Sequence, residues 1–180
     1  MADPTTKIYW LVPYRDTATR EATIMSAQSQ VAASFQTYIG GVPRVRDGYW
    51  YDLQQAGASA YSGSNQLTFA ASSNKYGFPY AVTLPITIPQ SKAFDFYGIA
   101  DYAASPVLQA FQLTQRDVAF PLVYLSPDIY TNADHKAILN GAFPAVKQND
   151  NVTLTLYGTA ASTEPIDVLF TLAEQAAQTS

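Results

Sequence analysis

Cysteine is absent from the 180-residue chain. Disulfides, thiolate metal sites and a cysteine nucleophile are thereby excluded, and the redox compartment leaves no mark on the sequence. Histidine occurs once, at His135 in Ala133-Asp134-His135-Lys136. Zinc centres usually draw three or four ligands from His, Cys and carboxylates, so no metal site is expected. No Gly-x-Ser-x-Gly elbow supplies a serine for this imidazole to activate, and His135 reads as an exposed polar residue on a loop or helical turn. Phosphate cradles are missing too: neither G-x-x-x-x-G-K-[ST] nor G-x-G-x-x-G occurs. Glutamate is confined to Glu21, Glu164 and Glu174, while Asp47, Asp52, Asp95 and Asp101 stand in contexts typical of loops or strand ends. No pair of acids can be nominated for glycoside hydrolysis, and solvated or turn-forming roles are expected for them. The sequence thus predicts no catalytic, cofactor-binding or metal-ligating residue.

Charge is scarce as well. Asp, Glu, Lys and Arg make up 13% of the chain, about half of what an ordinary soluble protein carries. Ser, Thr, Gln and Asn fill the polar positions, and a surface so poor in charge is either simply solvated or covered by partners. The net charge of −4 argues against a nucleic-acid partner, whose phosphates call for an excess of Lys and Arg. No run of about 18 apolar residues is present, and MADPTTKIYW lacks the basic-then-apolar order of a secretory signal. Neither membrane spanning nor signal-directed export is expected. Asn151-Val152-Thr153 matches a glycosylation acceptor but reads as the start of a strand.

What the chain does contain is a long series of β-type stretches. In order they are 7–14, 48–53, 66–72, 81–88, 93–100, 107–114, 118–126, 151–158 and 166–173, separated by turn-rich pieces such as Gly40-Gly41-Val42-Pro43 and Gln148-Asn149-Asp150-Asn151. The spacing predicts an all-β sandwich or barrel in one domain over 1–180, with little helix and with 1–6 and 174–180 as polar arms. Residues 18–39 fit two patterns. Ile24, Val31, Phe35 and Tyr38 or Ile39 make a helical stripe that Asp16 or Thr17 would cap and Gly40 would end, whereas Val31, Ala33, Phe35 and Ile39 also alternate. The β-rich context predicts a strand over 29–39 and leaves 18–28 open. A helical turn is predicted around Asn132–Asn140.

Proline supplies a sharper inference. In FPYAVTLPITIPQ, residues 78–90, Val82, Leu84, Ile86 and Ile88 sit at even positions and Pro79, Pro85 and Pro89 at odd ones. Backbone N–H groups of one parity point to the same neighbour, so every missing donor falls on one side of the strand. The stretch is predicted to be an edge strand, its even side chains in the core and its odd edge unable to accept a further strand.

Two further groups could face a partner. Tyr49-Trp50-Tyr51 would place rings on both sides of a strand, where an exposed Tyr or Trp stacks on a sugar or anchors a protein interface. Arg44 and Arg46 would share one face, with Val45 opposite, and could meet an acidic group. Together with Pro85 and Pro89, these are the candidate interface or stacking residues.

With the strand series, the acidic cysteine-free composition and the opening MADPTTKIYWLVPYRD in view, the chain resembles over its whole length the small major capsid protein of tailless, membrane-containing icosahedral bacteriophages of Thermus. The resemblance implies a single jelly-roll barrel that self-associates as a homo-oligomer such as a dimer. It also implies assembly with a second, larger capsid protein over an internal viral membrane, location in the virion capsid, and no catalysis or cofactor. The abundance of proline and the lack of cysteine suit a hot environment. The alternative drawn from the residues alone is a β-sandwich carbohydrate-binding or adhesion module using Tyr49, Trp50 and Tyr51.

Overall fold

A computed structural model describes residues 9–13, 16–125 and 136–176. In chain order the elements are β1 (Leu11–Pro13), α1 (Thr17–Tyr38), β2 (Pro43–Asp47), α2 (Trp50–Gln55), β3 (Gln66–Thr68), β4 (Ala70–Ala71), β5 (Tyr80–Thr87), β6 (Lys92–Asp101), β7 (Leu108–Gln115), β8 (Val118–Ala119), β9 (Val123–Tyr124), β10 (Lys136–Leu139), β11 (Asn151–Gly158) and β12 (Thr163–Gln175). They form two antiparallel sheets, an all-β sandwich. One sheet runs β1-β10-β6-β12-β2, with β3 beside the start of β12; the other runs β4-β5-β11-β7-β8, with β9 also on β7.

Period-2 alternation builds the core between them. Leu84 and Leu154 are register partners, as are Phe94 and Leu172, and all four are buried in one apolar cluster with Ile166, Val168 and Phe170. In β6 the alternation is interrupted. Leu169 pairs with Gly98 but Phe170 pairs with Phe96, so Tyr97 is an extra residue and both Phe96 and Ile99 reach the core. Gly98 permits the bulge to lie close to β10: a Cβ there would stand 2.5 Å from the carbonyl oxygen of Ala137.

The predicted edge at 78–90 is found from Val82 onward, past the two residues that pair with β4. β5 pairs along its length with β11, with Pro85 opposite Thr153, while on its other side only Tyr80 and Ala81 have partners, in β4. Further along, the odd-parity amide of Thr87 turns outward and donates to the carbonyl of Ala56 at 2.8 Å. Pro85 is exposed on that same edge. Replacing Pro85 with Thr should therefore lower stability by less than about 1 kcal/mol, the cost of a freer unfolded chain. Urea denaturation checks this, and a loss above about 2 kcal/mol would contradict the edge placement.

Several expectations are corrected. Residues 29–39 are not a strand: α1 spans the ambiguous stretch, because Thr23, Ala27, Val31 and Phe35 recur every fourth residue and are buried, whereas Ala33, which the alternating pattern needs inside, is exposed. The Asp16 carboxylate accepts from the Thr19 amide at its start, and Gly40, at φ +87°, donates to the Phe35 carbonyl at its end. Residues 48–53 enter a helix instead of a strand, since Asp52 accepts from the Tyr49 amide and closes the first turn of α2. The stretch 66–72 splits at Phe69 between the two sheets, and 118–126 splits at Pro121 into β8 and β9. Lys136–Leu139 is strand β10, not part of a helical turn, because it has β1 on one side and β6 on the other; residues 132–135, with His135, lie outside the described residues. The tail from 174 is not wholly an arm, for β12 extends to Gln175, while 1–6 and 177–180 lie outside the described residues.

Helix α1 lies across the outer side of the first sheet, against β6 and β12. Ala27 meets Tyr97 and Ile138, and Val31 and Phe35 meet Ala93 and Ala173. Among the described residues no helix covers the outer side of the second sheet, so in this sense the sandwich has one clothed and one bare face.

Candidate functional site: a bare sheet face and a tyrosine-lined cleft

The bare face is uncharged by sequence. Its three long strands, YAVTLPIT (β5), LQAFQLTQ (β7) and NVTLTLYG (β11), contain no Asp, Glu, Lys, Arg or His. Leu and Val occupy the inward parity, leaving Thr83, Pro85, Thr87, Thr114, Thr153 and Thr155 to look outward. Where the 72–79 loop reaches one end, rings take over: Phe78 stacks on Tyr157 at 5.3 Å, and Tyr124 is 65% exposed beside it. An area without formal charge, flanked by exposed aromatic surface, resembles the centre of a protein interface, where charged residues are depleted and rings enriched.

Charges concentrate in the clothed sheet. Arg46 on β2 does not face outward beside Arg44. Its guanidinium grips Asp52 of α2 through both terminal nitrogens, at 2.9 and 2.8 Å, and Nε donates to Glu174 of β12 at 2.9 Å. Burial pushes the Asp52 carboxyl up, but the hydrogen bonds from Arg46 and the Tyr49 amide outweigh it and hold the group below its ordinary value. Arg46 also depresses Glu174, with help from Lys92 at 3.5 Å. Arg44 is exposed, and the two arginines form no common patch.

The aromatic triplet does meet a cavity. Tyr49 and Tyr51 stack on one another at 5.4 Å and are both exposed, while Trp50 leans inward against Tyr61 at 6.3 Å. A cleft of about 480 Å³ lies on the outer side of the clothed sheet, lined by Tyr49 and Trp50 with Tyr97, Tyr102, Lys136 and Asp167. Gly48 lets the loop carrying these rings lie flat, for a Cβ there would collide with the Phe170 ring at 2.1 Å. Asn65 completes the polar part; burial raises the Asp167 carboxyl, opposed by a hydrogen bond with Asn65 and the charge of Lys136. Pro85 and Pro89 belong to the other sheet and its β5–β6 turn, away from this cleft.

Three acids expected in loops or at strand ends are buried. Asp95, in the middle of β6, finds no hydrogen-bond partner for either carboxyl oxygen among the described residues, and burial holds the group well above its ordinary value. Asp52 is the ligand of Arg46 just described. Asp101 approaches Glu164, and burial first, then the neighbouring carboxyl, pushes it up to about 7. Its Oδ1 accepts from the Ala103 amide at 3.0 Å, and Glu164 accepts from the Val107 amide at 3.1 and 3.2 Å. Sequence offered one signal for these: an acid between two phenylalanines in AFDFYGIA cannot look at water from a strand whose two faces are both covered. Among the described residues no three His, Cys, Asp or Glu side chains group as metal ligands. No helix among them is long and apolar enough to cross a membrane.

Compared with known proteins, the chain matches no protein-family model and no curated protein.

Proposed function

We propose that the chain is a jelly-roll coat subunit that associates through the bare sheet face. The observation that carries this reading is the segregation of charge, with β5, β7 and β11 free of Asp, Glu, Lys, Arg and His and β6 and β12 carrying six such residues, Lys92, Asp95, Asp101, Glu164, Asp167 and Glu174. A monomer has no need to strip charge from a face exposed at Thr83, Pro85 and Thr87 and half-exposed at Thr114, Thr153 and Thr155, whereas a buried contact avoids the desolvation of ions. Strand order supports the jelly-roll description. β2-β12-β6-β10 faces β5-β11-β7-β8 and β9, so the chain crosses between sheets from β5 to β6, β6 to β7, β10 to β11 and β11 to β12, as a long hairpin wrapped into a double sheet does. The Pro85 edge suits such a subunit, because neighbours then meet through side chains and do not extend the sheet.

On this reading the protein has no reaction to perform. It associates with copies of itself, a dimer being the simplest closed form, and builds a virion shell with a larger coat protein above a membrane, as its sequence resemblance implies. Light scattering and negative-stain microscopy test it. Purified protein should be oligomeric, and the double variant Thr153→Asp, Thr155→Lys should return it to a monomer with its thermal midpoint nearly unchanged. A wild-type protein that stays monomeric at every concentration, or a double variant that associates like the wild type, would overturn the proposal.

A further inference from the structure

We infer that the cleft beside Tyr49 and Tyr102 is a binding site for a neutral carbohydrate. This function is separate from assembly, because the cleft lies on the clothed sheet and shares no residue with the bare face. Its volume of about 480 Å³ falls within the range of small-molecule sites, roughly 300–1,000 Å³. The composition of the lining narrows the ligand. Tyr49 arrives from the loop between β2 and α2, Trp50 from the first position of α2, and Tyr102 from the residue after β6, so ring surface comes from two separate parts of the chain. Such rings offer negatively polarised faces to the C–H groups of a pyranose.

Between the rings stand groups suited to hydroxyls. Asp167 accepts, Lys136 donates, and the Asn65 amide does both. Asn65 and Lys136 both interact with the half-buried Asp167 carboxyl, which anchors this polar cluster. A ligand with adjacent hydroxyl groups can replace the water on such a cluster without leaving a polar atom unpaired. An acyl chain would strand the same atoms. The two carboxylates in the lining, Asp47 and Asp167, outnumber the single ammonium of Lys136, which disfavours phosphate and other anions. Of the Tyr49-Trp50-Tyr51 triplet that sequence singles out as a stacking platform, Tyr49 and Trp50 line the cleft and are joined there by the polar half of a sugar site.

A glycan array of neutral and acidic saccharides, followed by calorimetry with the best binder, tests the inference on the full chain. Saturable binding of a neutral mono- or disaccharide is expected. Affinity should fall at least about tenfold in Tyr102→Ala and in Asp167→Asn, and be unchanged in the Thr153→Asp, Thr155→Lys variant. Circular dichroism of each variant separates loss of binding from loss of fold, and Tyr49→Phe, which keeps the ring, should retain binding. No neutral saccharide bound at millimolar concentration would overturn the assignment. So would binding indifferent to both cleft substitutions, or a preference for inorganic phosphate or an acidic sugar. None of these outcomes bears on whether the subunit assembles.

Discussion

Replacing Arg46 with alanine is expected to lower the stability of the fold by about 3–5 kcal/mol, the range for removing one member of a buried ion pair. Three elements meet at this side chain. Asp52 belongs to α2, Glu174 to β12 and Arg46 to β2, the outermost strand of its sheet. Asp52 is almost fully buried, so without the guanidinium its charge would face the core with only the Tyr49 amide as donor. Glu174 is more accessible and retains Lys92, so most of the loss arises at Asp52. In urea the midpoint should move down with an unchanged slope, and adding Asp52→Asn to Arg46→Ala should recover part of the loss by removing the stranded charge. A loss below about 1 kcal/mol, or no recovery in the double variant, would mean that the pair is solvated. The pH dependence has a definite sign. Asp52 and Glu174 titrate below their unfolded values, so their stabilisation is present above those values and is lost as pH falls through the folded ones. Arg46→Ala should flatten this acid limb.

Asp101→Asn is expected to act at the other end of the pH scale and in the opposite direction. An aspartate whose carboxyl titrates near 3.8 when unfolded and about 7 when folded binds more protons in the folded state between those values. Stability therefore falls as pH rises through this window and levels off above it. At about 1.4 kcal/mol per pH unit the penalty is on the order of 4 kcal/mol. In physical terms, two carboxylates cannot both ionise in a dry site without repelling each other and loosening the 101–107 segment they hold. Asparagine keeps the acceptor for the Ala103 amide and offers Glu164 a permanent N–H donor. The variant should match the wild type at about pH 4–5, exceed it at pH 8 and lose most of the slope between. Asp95 and Asp167 are raised by burial and tilt the wild-type profile the same way, so the difference between the two proteins is the diagnostic quantity. Thermal midpoints measured across that range decide it. Parallel curves would show that Asp101 is not the group responsible.

How much of this was legible beforehand varies with the range of the interaction. FPYAVTLPITIPQ announced both its core face and its defective edge, because alternation and proline parity are properties of adjacent residues. The same locality misled at 29–39, where a few alternating apolar residues imitate a strand although the four-residue spacing from Thr23 to Phe35 continues for longer. At GYWYDL the aromatic residues favoured a strand, and the turn was decided by Asp52, whose partner Arg46 lies on β2 and is held in turn by Glu174 of β12.

Composition and alternation by themselves determined an all-β sandwich or barrel without cysteine, a shortage of charge, the inward parity of most long strands and the dead edge at Pro85. Those depend on each residue's chemistry and on its immediate neighbours. Only the tertiary structure decided that the charges collect on one sheet, that α1 clothes that sheet and leaves the other bare, and that Tyr49 and Tyr102 share a cleft. It also decided that the Glu164 side chain approaches Asp101 and accepts from the amide of Val107, 57 residues away in the chain. Such pairings are set by strand order, and strand order follows from the global exclusion of water from two sheet faces at once, a quantity that no local window of sequence contains.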